Sequence, residues 1–217
     1  MSTSNAICNS FKAEILNGGH VFDGPVTPLI TISNGAYTTN SVSSMSGVVV
    51  GMGVSGTGIA NGSVIAATTT TGFTLSLPTT APITASTVTI SADQFYFALI
   101  TANPSGTYGA NTTNYSQLGS DEVSGPGYTA GGVLMVNMSA TLSGNTAILT
   151  FGANPSFPVS TFSYSAGLLY NASQRIAGVS GRAVAVFDFG GNQSVTNGIP
   201  QIVLPAYTAS TSLIRIQ

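Results

Sequence analysis

Charge is nearly absent from this chain. Only 5% of its 217 residues are charged, about a fifth of the ~25% usual in soluble domains. The bases are Lys12, Arg175, Arg182 and Arg215. Four scattered cations cannot track a phosphate backbone, so no nucleic-acid partner is expected. The chain has no Trp, one His (His20) and one Cys (Cys8). A lone cysteine excludes an intrachain disulfide, which suits assembly in a reducing cytoplasm. With one His beside it, it also excludes a Cys-rich zinc site. Long apolar runs are missing too. The most apolar window, residues 48–54, is short and interrupted by glycine, so no membrane span is expected. Residues 1–10 carry neither a base nor an apolar core, so no secretory signal is expected.

What fills the chain is Ser, Thr, Asn and Gly among aliphatic residues. Hydroxyl side chains keep a surface wet without charge, and Thr suits a pleated strand. A formal net charge of −2 leaves little repulsion between copies, which favours association. A homo-oligomer is therefore expected.

Periodicity points to an all-β fold with a short N-terminal helix. Ile7, Phe11 and Ile15 recur at helical spacing, with Ser4 as the cap and Asn17-Gly18-Gly19 as the stop, predicting a helix over 4–16. Beyond it come short strands and turn signals. Residues 29–33 and 36–40 flank Asn34-Gly35, 58–60 and 63–68 flank Asn61-Gly62, and 133–142 and 146–151 flank Gly144-Asn145. Residues 72–77, 84–91 and 94–101 also read as strands. Residues 163–170 and 182–189 are apolar on both parities and read as central strands. Residues 199–205 and 212–217 close the set. Many short strands with frequent turns indicate a sandwich or barrel.

Residues 28–91 contain no charged residue. This shift in texture predicts a small β-sandwich or barrel domain over 28–91, inserted into a base β-sandwich formed by 1–24 and 93–217.

No motif nominates a catalytic, cofactor-binding or metal-ligating residue. Gly51-Met-Gly-Val-Ser-Gly56 matches the dinucleotide pattern, yet Thr57-Gly58-Ile59 is poor helix and no acid follows before Asp93. It reads as turns between strands. Cys8 and His20 could pair as nucleophile and base, but no orienting acid is evident, and His20 reads as a structural residue at the helix end. Asp121 and Glu122 lack calcium-loop spacing. As neighbours on an extended segment they point apart, whereas glycosidic hydrolysis needs two acids facing one cleft. They read as part of a solvated, glycine-rich loop. Asn61, Asn111, Asn137, Asn171 and Asn192 begin N-x-S/T triplets, which arise by chance in such a composition.

Several segments outside 28–91 form a familiar set: Cys8-Asn-Ser-Phe-Lys12, Glu14-Ile-Leu16, His20-Val-Phe22, Asp93-Gln-Phe-Tyr-Phe-Ala-Leu99 and Asn114-Tyr115. With them go Asp121-Glu-Val-Ser-Gly-Pro-Gly-Tyr-Thr-Ala-Gly-Gly132, Ala166-Gly-Leu-Leu-Tyr-Asn171, Arg182-Ala-Val-Ala-Val-Phe-Asp-Phe-Gly190 and Asn197-Gly198. The set resembles small virion structural proteins of tailed bacteriophages, over most of 5–24 and 93–217. In plainer members the His-x-Phe segment runs almost directly into the Asp-x-Phe strand; here residues 25–92 intervene. Within them, Gly47-Val-Val-Val-Gly-Met-Gly-Val-Ser-Gly-Thr-Gly-Ile59, Asn61-Gly-Ser-Val-Ile65 and Gly72-Phe-Thr-Leu-Ser76 loosely resemble β-modules on phage fibres and capsid surfaces. The resemblance implies a non-enzymatic structural role without cofactors. The favoured expectation is a capsid decoration (cement) protein, made in the bacterial cytoplasm and docked on the virion. Its partners would be the major capsid protein and copies of itself, as in a trimer, and the 28–91 domain would project outward. The alternative is a tail or fibre component, with host carbohydrate bound through the 28–91 domain. Interface residues are left unassigned.

Overall fold

The computed structural model describes residues 2–17, 19, 20, 22, 26–48, 50–61, 63–91, 93–135, 139–173, 179–212 and 214–216. Gly18 of the expected helix stop, Asp23, Pro25, Gly62, Asn137, Arg175 and Gln217 lie outside these residues. The fold is all-β. In chain order, β1 (Ala6–Ile7) leads into α1 (Asn9–Leu16). Then come β2 (Leu29–Ile32), β3 (Ser41–Val42), β4 (Gly53–Ser55), β5 (Ile65–Thr68), β6 (Phe73–Leu75), β7 (Ile83–Thr87) and β8 (Thr89–Ser91). The remainder is β9 (Phe95–Thr101), β10 (Val133–Met135), β11 (Ser139–Ser143), β12 (Thr146–Thr150), β13 (Ser160–Asn171), β14 (Arg182–Gly198) and β15 (Arg215–Ile216). Among the described residues, no helix is long and apolar enough to cross a membrane.

The chain divides into two compact units. One comprises Met1–Phe22, Phe95–Ala172 and Val179–Gln217; the other comprises Asp23–Gln94 and Ser173–Gly178. Ser173 is tied into the second unit by the Gln94 N–H, which donates to its hydroxyl (2.9 Å).

The first unit is built on an antiparallel sheet in the order β1-β14-β13-β9-β10. β13 and β14 have strands on both sides, and residues 166–171 and 182–186 are buried on both parities. That is why these stretches lack polar alternation. Phe97 lies across Gly167 of β13, where a Cβ would come within 2.3 Å of its ring, and stacks on Phe187 of β14 (5.7 Å between centroids). Only glycine leaves room for that ring. A second sheet, β11-β12-β15, contributes Leu149, with Phe151 and Ile214 just beyond its strands, to the same core as Phe95, Phe97 and Leu99. The unit is thus sandwich-like.

The helix is shorter than its periodicity predicts. Ile7 lies in β1, paired with Ala185, and Cys8 N donates to Val184 O (2.9 Å). Cys8 occupies the N-cap position without a side-chain cap, and Ser4 N instead donates to Tyr108 O (3.0 Å). A ladder on the β14 edge satisfies these backbone groups at the register where a first helical turn would have begun. Phe11 still faces the core, edge-on to His20 (4.8 Å).

Elsewhere in this unit, residues 133–142 split into β10, paired with β9, and β11, paired with β12. The Gly144-Asn145 hairpin forms, with Gly144 at φ +62°. Residues 199–205 form no strand, and among the described residues of the last segment only Arg215–Ile216 do.

The second unit has three small sheets, β3-β2-β7, β4-β8 and β5-β6, around a core that includes Ile30, Ile32, Ile65, Phe73, Leu75 and Ile90. Asn34-Gly35 makes a turn, with Ala36 N donating to Ser33 O (3.1 Å), but not the expected hairpin. β2 pairs with β3 further on, at Ile30↔Val42 and Thr31↔Ser41. Residues 37–39 run along β6 instead: Leu75 N donates to Tyr37 O (2.7 Å) and Thr39 N to Phe73 O (3.0 Å). Residues 58–60 are not a strand either. β4 takes that place, Val54 N donating to Ser63 O (2.8 Å), and Gly58 turns the chain at φ +83°. In both cases the turn signal is local, while the partner strand is chosen by which apolar side chains reach the core.

Candidate functional site

The densest polar chemistry lies in the first unit, where residues 102–132 leave β9 and return to β10. Asp121 ends a short 3-10 turn (Gly119–Asp121) and Glu122 is extended, so the two neighbours enter different surroundings. Asp121 is buried and accepts from Ser105 N (2.9 Å), Ser105 Oγ (2.9 Å), Gly106 N (2.6 Å) and the Tyr108 hydroxyl (2.8 Å). Burial works to raise its pKa. The two backbone donors and the two hydroxyls outweigh it and hold the carboxyl at about 2.

Glu122 is the hub of a tyrosine network. Its Oε2 accepts from the Tyr115 hydroxyl (2.5 Å), and its Oε1 from the Tyr128 hydroxyl (2.8 Å) and Gly131 N (2.6 Å). The Tyr128 hydroxyl also accepts from Leu99 N (3.0 Å), capping a stretch of β9 that β10 does not reach. Tyr170 donates to Gly131 O (2.8 Å), and its ring stacks on Tyr115 (4.4 Å) and Tyr96 (5.9 Å). Burial first, then the hydrogen bond to Glu122 and its charge, push the Tyr115 phenol up to about 12. Tyr108, Tyr128 and Tyr170 also lie above the ordinary phenol value, with burial the largest cause. These tyrosines are neutral donors at physiological pH: Tyr108 donates to Asp121, Tyr115 and Tyr128 to Glu122, and Tyr170 to the Gly131 carbonyl. The solvated loop expected at Asp121 and Glu122 is instead a bonding hub, with Asp121 buried and Glu122 half-buried. It escaped the sequence reading because its partners lie up to 16 residues from the carboxylates; the only signal was two adjacent acids in an almost acid-free chain.

A second polar cluster anchors α1. The His20 Nε2–H donates to Glu14 Oε2 (2.7 Å), and Asn171 Nδ2 donates to His20 Nδ1 (3.0 Å). His20 is therefore a structural residue at the helix end. Arg182, buried, places Nη1 3.8 Å from Glu14 Oε1. The Cys8 thiol faces Gly109 O (3.8 Å), and burial, then the charge of Glu14, push it up to about 12. A thiol so protonated is a poor nucleophile. Asn171, which begins one of the N-x-S/T triplets, is fully buried. Gly51 and Gly53 belong to the turn and strand at β4, and no helix follows them. Among the described residues, no group of three or more His, Cys, Asp or Glu is placed to hold a metal ion.

Two cavities stand out. In the first unit an open groove of about 540 Å³ runs between β1–β14 and the segment after residue 201, lined by Ile7, Phe97, Phe187, Phe189, Ile202 and Leu204 among others. In the second unit a recess of about 310 Å³ is walled by Thr38, Thr39, Asn40, Thr69, Thr71 and Thr74. Most of these hydroxyls already bond within the chain: Thr38 with Thr74, Thr39 with Phe73, and Thr69 with Gly72. Compared with protein-family models, curated proteins and solved structures, the chain matches none.

Proposed function

We propose that this chain is a non-enzymatic structural protein of a tailed-phage virion, acting as a capsid decoration protein. The first unit docks on the major capsid protein and on copies of itself, and the second is carried as a display module. The observation that carries the reading is the commitment of Asp121 and Glu122 to internal bonds. The one acidic pair in the chain fastens loops to the sheet. Part of this network, Glu122 with Tyr128 and Gly131, lies in residues 122–132, among the most specific parts of the resemblance. A chain with 5% charge attaches by apolar and hydroxyl-rich surface, and many weak contacts repeated over a lattice give avidity.

Attachment is therefore expected to be nearly independent of ionic strength, since few ion pairs are available to screen. The test is to measure retention on particles from low to molar salt, and to image the particles. Release by moderate salt, or density at the tail instead of the capsid surface, overturns the decoration reading.

A second reading, a tail or fibre component that binds host carbohydrate, is favoured by the hydroxyl-lined recess of the second unit and by Tyr37, which is 48% exposed. A glycan array decides it: hits abolished by Tyr37→Ala would support it.

A further inference from the structure

Among the described residues, β11 is an edge strand of the β11-β12-β15 sheet, with β12 as its one neighbour. On β12, Leu149 N donates to Ile214 O (3.1 Å), so Ala147 and Leu149 direct their backbone groups toward β15. Thr146, Ile148 and Thr150 therefore direct theirs toward β11, where they face Ser143, Thr141 and Ser139. By the same alternation, Ala140 and Leu142 turn their N–H and C=O groups away from the sheet. Ala140, Thr141 and Leu142 are all exposed, Leu142 at 74%. Proteins usually blunt such an edge with Lys, Pro or a bulge. Ser139-Ala-Thr-Leu-Ser143 has no charge and no proline, and its register with β12 is unbroken.

We propose that this edge is the contact between two copies of the chain, paired antiparallel about a two-fold axis through Thr141. A strand edge is self-complementary under that symmetry. Ala140 then lies opposite the partner's Leu142, and the two residues of each copy supply four backbone hydrogen bonds. The partner's Ala140 covers Leu142, which otherwise stands exposed in a row with Ala147 and Ile216. With no charge on the strand, nothing repels the approach. This inference is independent of where the protein sits in a particle.

The register makes Thr141 its own partner in a non-hydrogen-bonded pair, with Cα atoms about 4.5 Å apart, within disulfide reach. Full-length Thr141→Cys is expected to form a covalent dimer on mild oxidation. Ser143→Cys, offset from the axis, is expected to stay monomeric on a non-reducing gel. Native Cys8 is fully buried and does not compete. Light scattering should show dimers of the natural chain and monomers of Leu142→Lys, whose substitution leaves every β11–β12 bond in place. If oxidised Thr141→Cys remains monomeric, or if Ser143→Cys cross-links equally well, the proposal is overturned. A dimer that survives Leu142→Lys overturns it as well.

Discussion

Tyr128→Phe tests the idea that the carboxylate–tyrosine network holds the loops of the first unit on its sheet. The substitution removes one oxygen and keeps the ring, which packs on Phe157 (5.8 Å) and edge-on to Phe162 (5.7 Å). Two bonds go with that oxygen. Leu99 N–H, on a fully buried residue, loses the Tyr128 hydroxyl as acceptor (3.0 Å); an orphaned buried donor costs about 1–3 kcal/mol. Glu122 Oε1 loses one donor but keeps Gly131 N, a charge-assisted bond worth about 1.5–3 kcal/mol by itself and less within a shared network. The expected destabilisation is about 2–4 kcal/mol. Tyr115→Phe gives the contrast. It removes the bond to Glu122 Oε2 and a weaker interaction with Gly131 N–H, which keeps Glu122 Oε1 as its acceptor; the stack on Tyr170 stays, so about 1–2 kcal/mol is expected. Equilibrium unfolding in denaturant gives both values, and amide exchange reports on Leu99 directly. The reasoning fails if Tyr128→Phe costs no more than Tyr115→Phe, or if Leu99 N–H keeps its protection.

Gly167→Ala drives a Cβ into the Phe97 ring, and such overpacking costs about 1–3 kcal/mol; restoration of stability by a second change, Phe97→Leu, would confirm the cause, and an unchanged midpoint for the single variant would refute it. Asp121 has a folded pKa depressed to about 2 from an unfolded value near 4. Its stabilising contribution is thus complete above about pH 4 and is lost as pH falls through about 2. Asp121→Asn should flatten the stability profile in that window, and an unchanged acid slope would show that Asp121 does not govern it.

The all-β class was legible in the chain, because alternation and turn residues act over a few positions. So was the charge-free stretch 28–91, because composition needs no partner. The strands at 94–101, 163–170 and 182–189 could be found because burial on both faces writes a continuous apolar run. Other features depended on partners distant in sequence. The helix lost its first turn because Ile7 meets Ala185, and Asn34-Gly35 turned without closing a hairpin because residues 37–39 found β6. Asp121 and Glu122 looked like loop acids until the fold brought Ser105, Tyr108, Tyr115 and Tyr128 to them. Nor does any local pattern mark β11 as an edge: Ser-Ala-Thr-Leu-Ser has the same composition whether or not a neighbour lies beside it. Local backbone preference and burial are properties of short segments; hydrogen-bond partners and sheet order are properties of the closed fold, and only tertiary structure decides them.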